Sequence, residues 1–325
     1  MFSRFFSFFL ANAHLRFLIF VFNLPFFHPA FCICKFFGKF KNELNLKLIY
    51  VIINVYNDFL QKAETIMNVL AIGDVCAPDG CAYALKVIPQ IKREENIDFV
   101  IVNGENSALG NGITPESANV IFAAGADVIT GGNHTLRRKE FYDTLDSNPF
   151  VLRPHNLKDA EAGSGYCLFD MGRCLAAVIN LSGQVYFERA NADNPFKYID
   201  GLIEKAKTDG AKFIFVDFHA EATSEKRAMG FYVDGRVSAI FGTHTHAQTA
   251  DAQVLPKGTG YITDHGMTGV IDSVLGVKKE IIINRLKDND MSRFEQASGK
   301  CMLNGCVFDI DENTGLTKSV KLIYK

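Results

Sequence analysis

From Met67 onward, short apolar runs rich in Val, Ile and Phe alternate with stretches of helical periodicity. That alternation is the pattern of βα units, and so of a sheet with parallel strands. It predicts strands over Val69 to Gly73, Phe99 to Asn103, Ala126 to Thr130, Ala176 to Asn180, Phe213 to Asp217 and Val237 to Phe241. Helices are predicted over Ala82 to Glu94, Thr114 to Ala124, Arg137 to Leu145 and Phe196 to Thr208, with a shorter one from Ser224. Thr114 reads as an N-cap with Pro115 in the first turn. Gly163 to Gly183 reads as a hairpin turning at Met171-Gly172, and Cys301 to Tyr324 as another about Asn313-Thr314-Gly315. Strands without intervening helices at the middle and end of the chain suggest a second sheet packed on the first.

Composition adds a boundary. Fifteen of the 29 phenylalanines precede residue 67, and the other fourteen read as core. Residues 1–66 carry seven Lys/Arg against three Asp/Glu, whereas residues 67–325 carry 27 against 33. The later segment has no basic surplus to neutralise phosphates, so no nucleic-acid polymer is expected as its main partner. A small anionic ligand held by metal is compatible with it. Six cysteines follow Met67, with no CxxC pair, and read as reduced thiols.

Three readings compete for residues 1–66. Phe17 to Cys34 is an 18-residue stretch without Asp, Glu, Lys or Arg, the lower limit for a membrane span, but it contains Asn23, Pro25, His28 and Pro29. Arg4, the run Phe5 to Leu10 and Ala11-Asn12-Ala13 imitate a short secretory signal. The favoured reading is a misplaced start codon, because MNVLAIGDV at Met67 begins abruptly as a well-formed strand. It makes residues 67–325 the working domain, cytoplasmic and without a membrane association, with residues 1–66 as a leader the function does not need.

The chemistry lies in where polar residues fall. Five predicted strands are each followed by a turn with metal-ligand residue types: Gly73-Asp74; Asn103-Gly104-Glu105-Asn106; Gly131-Gly132-Asn133-His134; Asp217-Phe218-His219; and Gly242-Thr243-His244-Thr245-His246. In an open α/β sheet, ligands bind outside the carboxyl ends of the strands. Asp74 and Glu105 are one βαβ unit apart, which places both on the same edge. Three histidines, two carboxylates and two asparagine carbonyls, with no thiolate, suit divalent iron, manganese or zinc in an open site. They exceed the needs of one ion, and two ions a few ångströms apart form the clamp that phosphoester hydrolysis exploits.

Each residue also has a structural reading. Asp74 alone is a turn or cap residue, Asn106 and Asn133 can close turns, and His219 can be a buried core histidine. The His244/His246 pair shares a side only where the backbone stays extended. His155 and His265 lie in expected loops and read as surface or supporting residues. The glycine-rich turn Gly104 to Gly112 lacks the Lys-Ser/Thr of a P-loop. The joint placement carries the metal reading.

These motifs resemble the calcineurin-like metallophosphoesterase superfamily, whose hallmark is Gly-Asp after the first strand, then Gly-Asn-His and a terminal Gly-His-x-His, here Gly242-Thr243-His244-Thr245-His246. The blocks MNVLAIGDV, IVNGENSALGNGIT, GADVITGGNHT, VDFHAEATSEK, GTHTHAQTAD and ITDHGMTG are most similar to its YmdB-like branch. The resemblance implies an α/β sandwich of two β-sheets flanked by helices, and phosphodiesterase activity on cyclic nucleotides, 2′,3′-cyclic and also 3′,5′-cyclic. It implies two divalent ions, iron first, with manganese or zinc as alternatives. Asp74, Glu105, Asn106 and His246 would hold the first; Glu105, as the bridge, with Asn133, His219 and His244 would hold the second. His134 would be the general acid for attack by a metal-bridging hydroxide. Two departures from the wider superfamily stand out: Cys76 where a histidine ligand is usual, and Glu105 in place of the bridging aspartate. Such a centre is net positive and attracts a small anionic diester. A homo-oligomer is compatible with this reading. Two rivals are a metal-bound regulatory protein with vestigial catalysis and an amidohydrolase, whose HxH pair would belong to the first strand.

Overall fold

In strand β1 (Ile66–Ile72), Val69 and Ala71 face one way while Leu70 and Ile72 face the other, and all four are fully buried. A strand buried on both faces needs a layer on each side, and that requirement organises the whole domain. The computed structural model describes residues 66–325; the readings made for residues 1–66 lie outside the described residues.

Two sheets meet face to face. The first contains β1, β2 (Asp74–Val75), β3 (Phe99–Asn103), β4 (Val128–Thr130), β11 (Met267–Val270), β12 (Cys301–Asp311) and β13 (Thr317–Tyr324), ordered β2-β11-β12-β1-β3-β4 with β13 paired to β12. The second runs β5-β6-β7-β8-β10-β9, from β5 (Tyr166–Asp170) and β6 (Leu175–Ser182) through β7 (Phe213–His219) and β8 (Ala239–Thr243) to β10 (Gly260–Ile262) and β9 (Gln253–Val254). Strands β1, β3 and β4 are parallel neighbours, as are β6, β7, β8 and β10.

Phenylalanine fills the layer between the sheets. Phe99, Phe213, Phe215, Phe241 and Phe308 are fully buried there, with ring centroids 5.8 Å apart for Phe99 and Phe215 and 6.0 Å for Phe241 and Phe308. Truncating one such ring to alanine destabilises by about 3–5 kcal/mol. Not all fourteen later phenylalanines are core, however: Phe231 and Phe294 are each 51% exposed. Helices α1 (Ala77–Glu94), α2 (Pro115–Ala123) and α3 (Tyr142–Ser147) cover the outer face of the first sheet, and α4 (Ile199–Thr208) and α5 (Thr223–Val233) that of the second. The four layers match the expected sandwich of two sheets flanked by helices.

Several boundaries differ from the sequence pattern for identifiable reasons. Helix α1 begins five residues earlier than Ala82, because Pro78 is tolerated in the first turn and Gly80 lets the helix touch β11. A Cβ on Gly80 would lie 2.4 Å from the Thr268 carbonyl oxygen. The helix expected over Arg137 to Leu145 breaks into two single 3₁₀ turns and a short α3, since Arg138 is extended and its guanidinium bonds the carbonyls of Leu109 and Asn111. Thr114 does cap α2, closing a reciprocal box with Ser117. Both hairpins form, but they do not build a separate sheet together. The middle one edges the second sheet, while the C-terminal one joins the first beside β1. Strands β9 to β11 and helix α6 (Lys279–Asp288) were not foreseen; α6 has no fully buried residue, with Ile281 and Ile282 half-buried and Ile283 and Leu286 exposed.

Candidate metal centre

The carboxyl ends of β1, β3 and β4 in one sheet and of β7 and β8 in the other open onto the same place. Five turns therefore deliver their polar residues to one site, as the sequence pattern anticipates, but from two sheets and not one.

Around Asp74, the amide nitrogen of Asn106 lies 3.3 Å from Oδ1 and the His246 Nε2 lies 3.5 Å from it. The backbone N–H of His244 donates to Asp74 Oδ2 at 3.2 Å. Around Glu105, His219 Nε2 is 3.2 Å from Oε1, and the backbone N–H of His134 donates to Oε2 at 2.9 Å. Asn133 bridges the next pair: its Oδ1 is 3.1 Å from His219 Nε2 and its Nδ2 3.2 Å from His134 Nδ1. Glu105, His219 and His244 each offer a ligand atom, all within 4.8 Å of one another. All eight residues singled out in the sequence, Asp74, Glu105, Asn106, Asn133, His134, His219, His244 and His246, are thus brought together. A Cβ on Gly132 would lie 2.2 Å from Glu105 Oε2 and 2.3 Å from His219 Nε2. Only glycine lets the chain pass so close to them.

The histidine pair after β8 is not set by strand alternation. His244 has φ 99° and His246 has φ 61°, so the backbone turns through the left-handed region at both. A buried ion pair beneath holds that turn. Lys226 Nζ donates to the Thr243 carbonyl and to Asp264 Oδ2, both at 2.8 Å, and Asp264 Oδ2 also accepts the Thr245 N–H and hydroxyl at 3.0 and 2.7 Å.

Electrostatically, Asp74 and Glu105 are buried carboxylates whose only charged neighbours at ion-pair distance, among the described residues, are histidines. Burial pushes both upward, but His246 and His219 beside Asp74, and His219 and His134 beside Glu105, hold them below the usual carboxylate range. Burial, reinforced by His219, pushes His244 down to about 3. It is therefore a neutral ring whose Nε2, 3.0 Å from Glu221, carries the proton, leaving a lone pair on Nδ1. His219 is oriented likewise. Thr243 Oγ1 donates to Asp217 Oδ1 at 2.7 Å and lies 2.8 Å from His219 Nδ1, so the hydroxyl accepts from that nitrogen and Nε2 faces Glu105 and Asn133. Asp217 is in turn held by Asn103 at 3.1 Å and Thr130 at 2.5 Å.

Such a set fits divalent metal: buried oxygen and imidazole donors, no arginine or lysine to neutralise the carboxylates, and histidines oriented by outer hydrogen bonds. Cys76 stands beside it, its Sγ 3.6 Å from His246 Nδ1. Sequence reasoning named Asp217 and Thr243 within the ligand-type turns without assigning them a supporting role, and it did not single out Lys226 or Asp264. Of the two histidines set aside, His155 packs on Tyr198 with ring centroids 5.7 Å apart. His265 is not at the surface: it is fully buried against Phe241 at 5.1 Å. The six cysteines after Met67 are free thiols. No helix among the described residues is long and apolar enough to cross a membrane.

Comparison with known proteins agrees with this geometry. The chain is 46% identical over 256 residues to a 2′,3′-cyclic-nucleotide 2′-phosphodiesterase of Bacillus subtilis, covering 79% of this chain and 95% of that one. A crystal structure of a hypothetical protein from Thermus thermophilus superposes with TM-score 0.74 at 36% identity, over 80% of this chain and 99% of that one. A structure titled a novel phosphatase, from Mycoplasma pneumoniae, superposes with TM-score 0.74 at 33% identity, over 81% and 94%. The YmdB-like protein family matches residues 70–323. The chain therefore belongs to the YmdB-like family, a branch of the calcineurin-like metallophosphoesterases.

Proposed function

We propose that the protein is a metal-dependent phosphodiesterase that opens nucleoside 2′,3′-cyclic phosphates on a centre of two divalent ions. The observation that carries this reading is the pair of buried carboxylates, Asp74 and Glu105, ringed by histidine and asparagine donors with no lysine or arginine at ion-pair distance among the described residues. Buried carboxylates need a countercharge, and with only imidazole and amide groups around them a metal ion is the countercharge their surroundings suit. The activity named for the Bacillus subtilis relative supports the substrate class.

Asp74, Asn106 and His246 with Glu105 would hold one ion, and Glu105 with Asn133, His219 and His244 the other. Iron is the first expectation, with manganese or zinc as alternatives. Such ions supply Lewis acidity and a nucleophile available near neutral pH. The protein's own residues do the rest. Thr243 and Asp217 keep the His219 lone pair turned inward, and the Lys226–Asp264 pair fixes the turn bearing His244 and His246. Asn133 Nδ2 lies 3.2 Å from His134 Nδ1 and orients the ring, whose acid form is the imidazolium with both nitrogens protonated. Burial pushes the His134 ring below its ordinary value against the pull of Glu105, which makes its protonated form a readier donor. In the reaction the water oxygen joins phosphorus, the P–O2′ bond breaks, and O2′ takes the His134 proton. The product carries a free 2′ hydroxyl and a 3′ phosphate.

The test is a substrate panel of 2′,3′-cyclic and 3′,5′-cyclic nucleotides, a chromogenic diester and phosphate monoesters, with metal analysis of the same preparation. Turnover of the 2′,3′-cyclic compounds by protein holding about two ions per chain is expected. Activity confined to monoesters would overturn the assignment.

A further inference from the structure

A cleft of about 1040 Å³ lies over the centre, with Glu105, His134, His244 and His246 among its lining. Its opposite wall comes from residues 271–299, which carry the exposed helix α6 and contribute Arg285, Arg293 and Phe294; Arg137 joins beside His134. The volume sits at the upper end for small-ligand sites.

The three arginines have no carboxylate at ion-pair distance among the described residues. The acidic groups near them are already engaged: Glu295 pairs with Lys278 at 2.5 Å, Asp290 accepts from the Ser292 N–H and hydroxyl, and Glu140 pairs with Arg138 at 3.3 Å. Arg137 and Arg293 are exposed, with neither a hydrogen bond nor an ion pair among the described residues. Arg285 stacks on Phe294 at 4.2 Å and gives one Nη2 bond to the Ser292 carbonyl, and its Nε–H is buried without a partner. Three like charges converging on one cleft repel each other, so the arrangement is favourable only towards an anionic ligand. Guanidinium forks match phosphate oxygens in particular.

A nucleoside 2′,3′-cyclic phosphate carries one negative charge, and the reaction requires that charge at the metal centre. Nothing on such a substrate remains for the arginines. We infer that the cleft recognises a second phosphate, so that the favoured substrate is a 2′,3′-cyclic phosphate at the 3′ end of a short oligoribonucleotide. This inference rests on the phosphodiesterase reading above. The upstream phosphate meets Arg137, Arg285 and Arg293, and the open face of Phe294 receives a base. The reaction that supplies such ends is RNA strand cleavage by internal attack. There the 2′ oxygen bonds to the adjacent phosphorus, the P–O5′ bond breaks, and the hydroxyl proton passes to O5′. The fragments keep their upstream phosphates.

The experiment compares kcat/KM of the full, metal-loaded chain for adenosine 2′,3′-cyclic phosphate and for a diadenylate ending in a 2′,3′-cyclic phosphate. An Arg137→Gln/Arg293→Gln double variant is measured beside it, both side chains being exposed and free of contacts that hold the fold. The wild type should prefer the diadenylate by about tenfold or more, as one charge-assisted phosphate contact gives. That preference should weaken with added salt and shrink to within about twofold in the double variant. Equal values for both substrates in the wild type, or a preference that survives the double substitution, would overturn the inference. Hydrolysis of neither substrate would overturn the phosphodiesterase reading, and this inference with it.

Discussion

The floor of the cleft and its far wall are built by opposite rules. On the floor, Asp74, Glu105, Asp217 and His219 are at most 1% exposed, and each is held by partners from other strands. On the wall, α6 has no fully buried residue, and Leu286 and Met291 are 81% and 79% exposed. Rigid, over-determined positions suit chemistry, whose groups must be placed within fractions of an ångström. An exposed wall suits recognition, where contacts form only when the ligand arrives. Substitutions on the floor should therefore act through metal, fold or turnover, and those on the wall through substrate preference alone.

The largest effect is expected at Glu105. A Glu105→Gln change removes one of the two carboxylates proposed as metal ligands and should lower kcat/KM by at least about 1000-fold, roughly 4 kcal/mol of barrier. Metal content, measured by elemental analysis, should fall with it. Lys226→Met comes next, since it leaves Asp264 buried without its cation, at 2% and 0% exposure in the native pair. Breaking such a pair costs about 3–5 kcal/mol. Calorimetry should register a Tm lower by about 10 °C. His134→Gln should reduce kcat by about 100-fold with metal content and Tm unchanged, because only the proton donor is lost. An unaltered kcat would remove His134 from the mechanism. The smallest effect belongs to the wall: Lys278→Gln breaks a bridge between two side chains that are 48% and 62% exposed. Its Tm should match the wild type within error. A clear drop would mean the wall is part of the folded core after all.

The floor was legible in the sequence because each ligand-type residue lies at or just beyond the carboxyl end of a strand, so local pattern and site coincide at Asp74, Glu105, Asn133, His219 and His244. What supports them was less so. Lys226 finds Asp264 across 38 residues, a pairing that periodicity cannot announce. Thr243 received no role of its own within its turn, yet its hydroxyl sets the orientation of His219. The backbone turn at His244 and His246 was hidden because neither is glycine. The wall was not read, although Ile282 and Leu286 fall four apart in α6; that apolar run ends up at most half-buried and so is not fixed by a core. Phe294 shows the same limit: composition counts it with the core, and only its exposure separates it.

The central claim is that the buried floor hydrolyses a cyclic phosphodiester only when it holds metal. The most direct test follows adenosine 2′,3′-cyclic phosphate by phosphorus NMR with metal-replete protein, chelator-stripped protein, and stripped protein given back iron, manganese or zinc. The account predicts a 3′-monophosphate product from the replete and restored samples and none from the stripped one. Equal turnover by stripped and replete protein would contradict it.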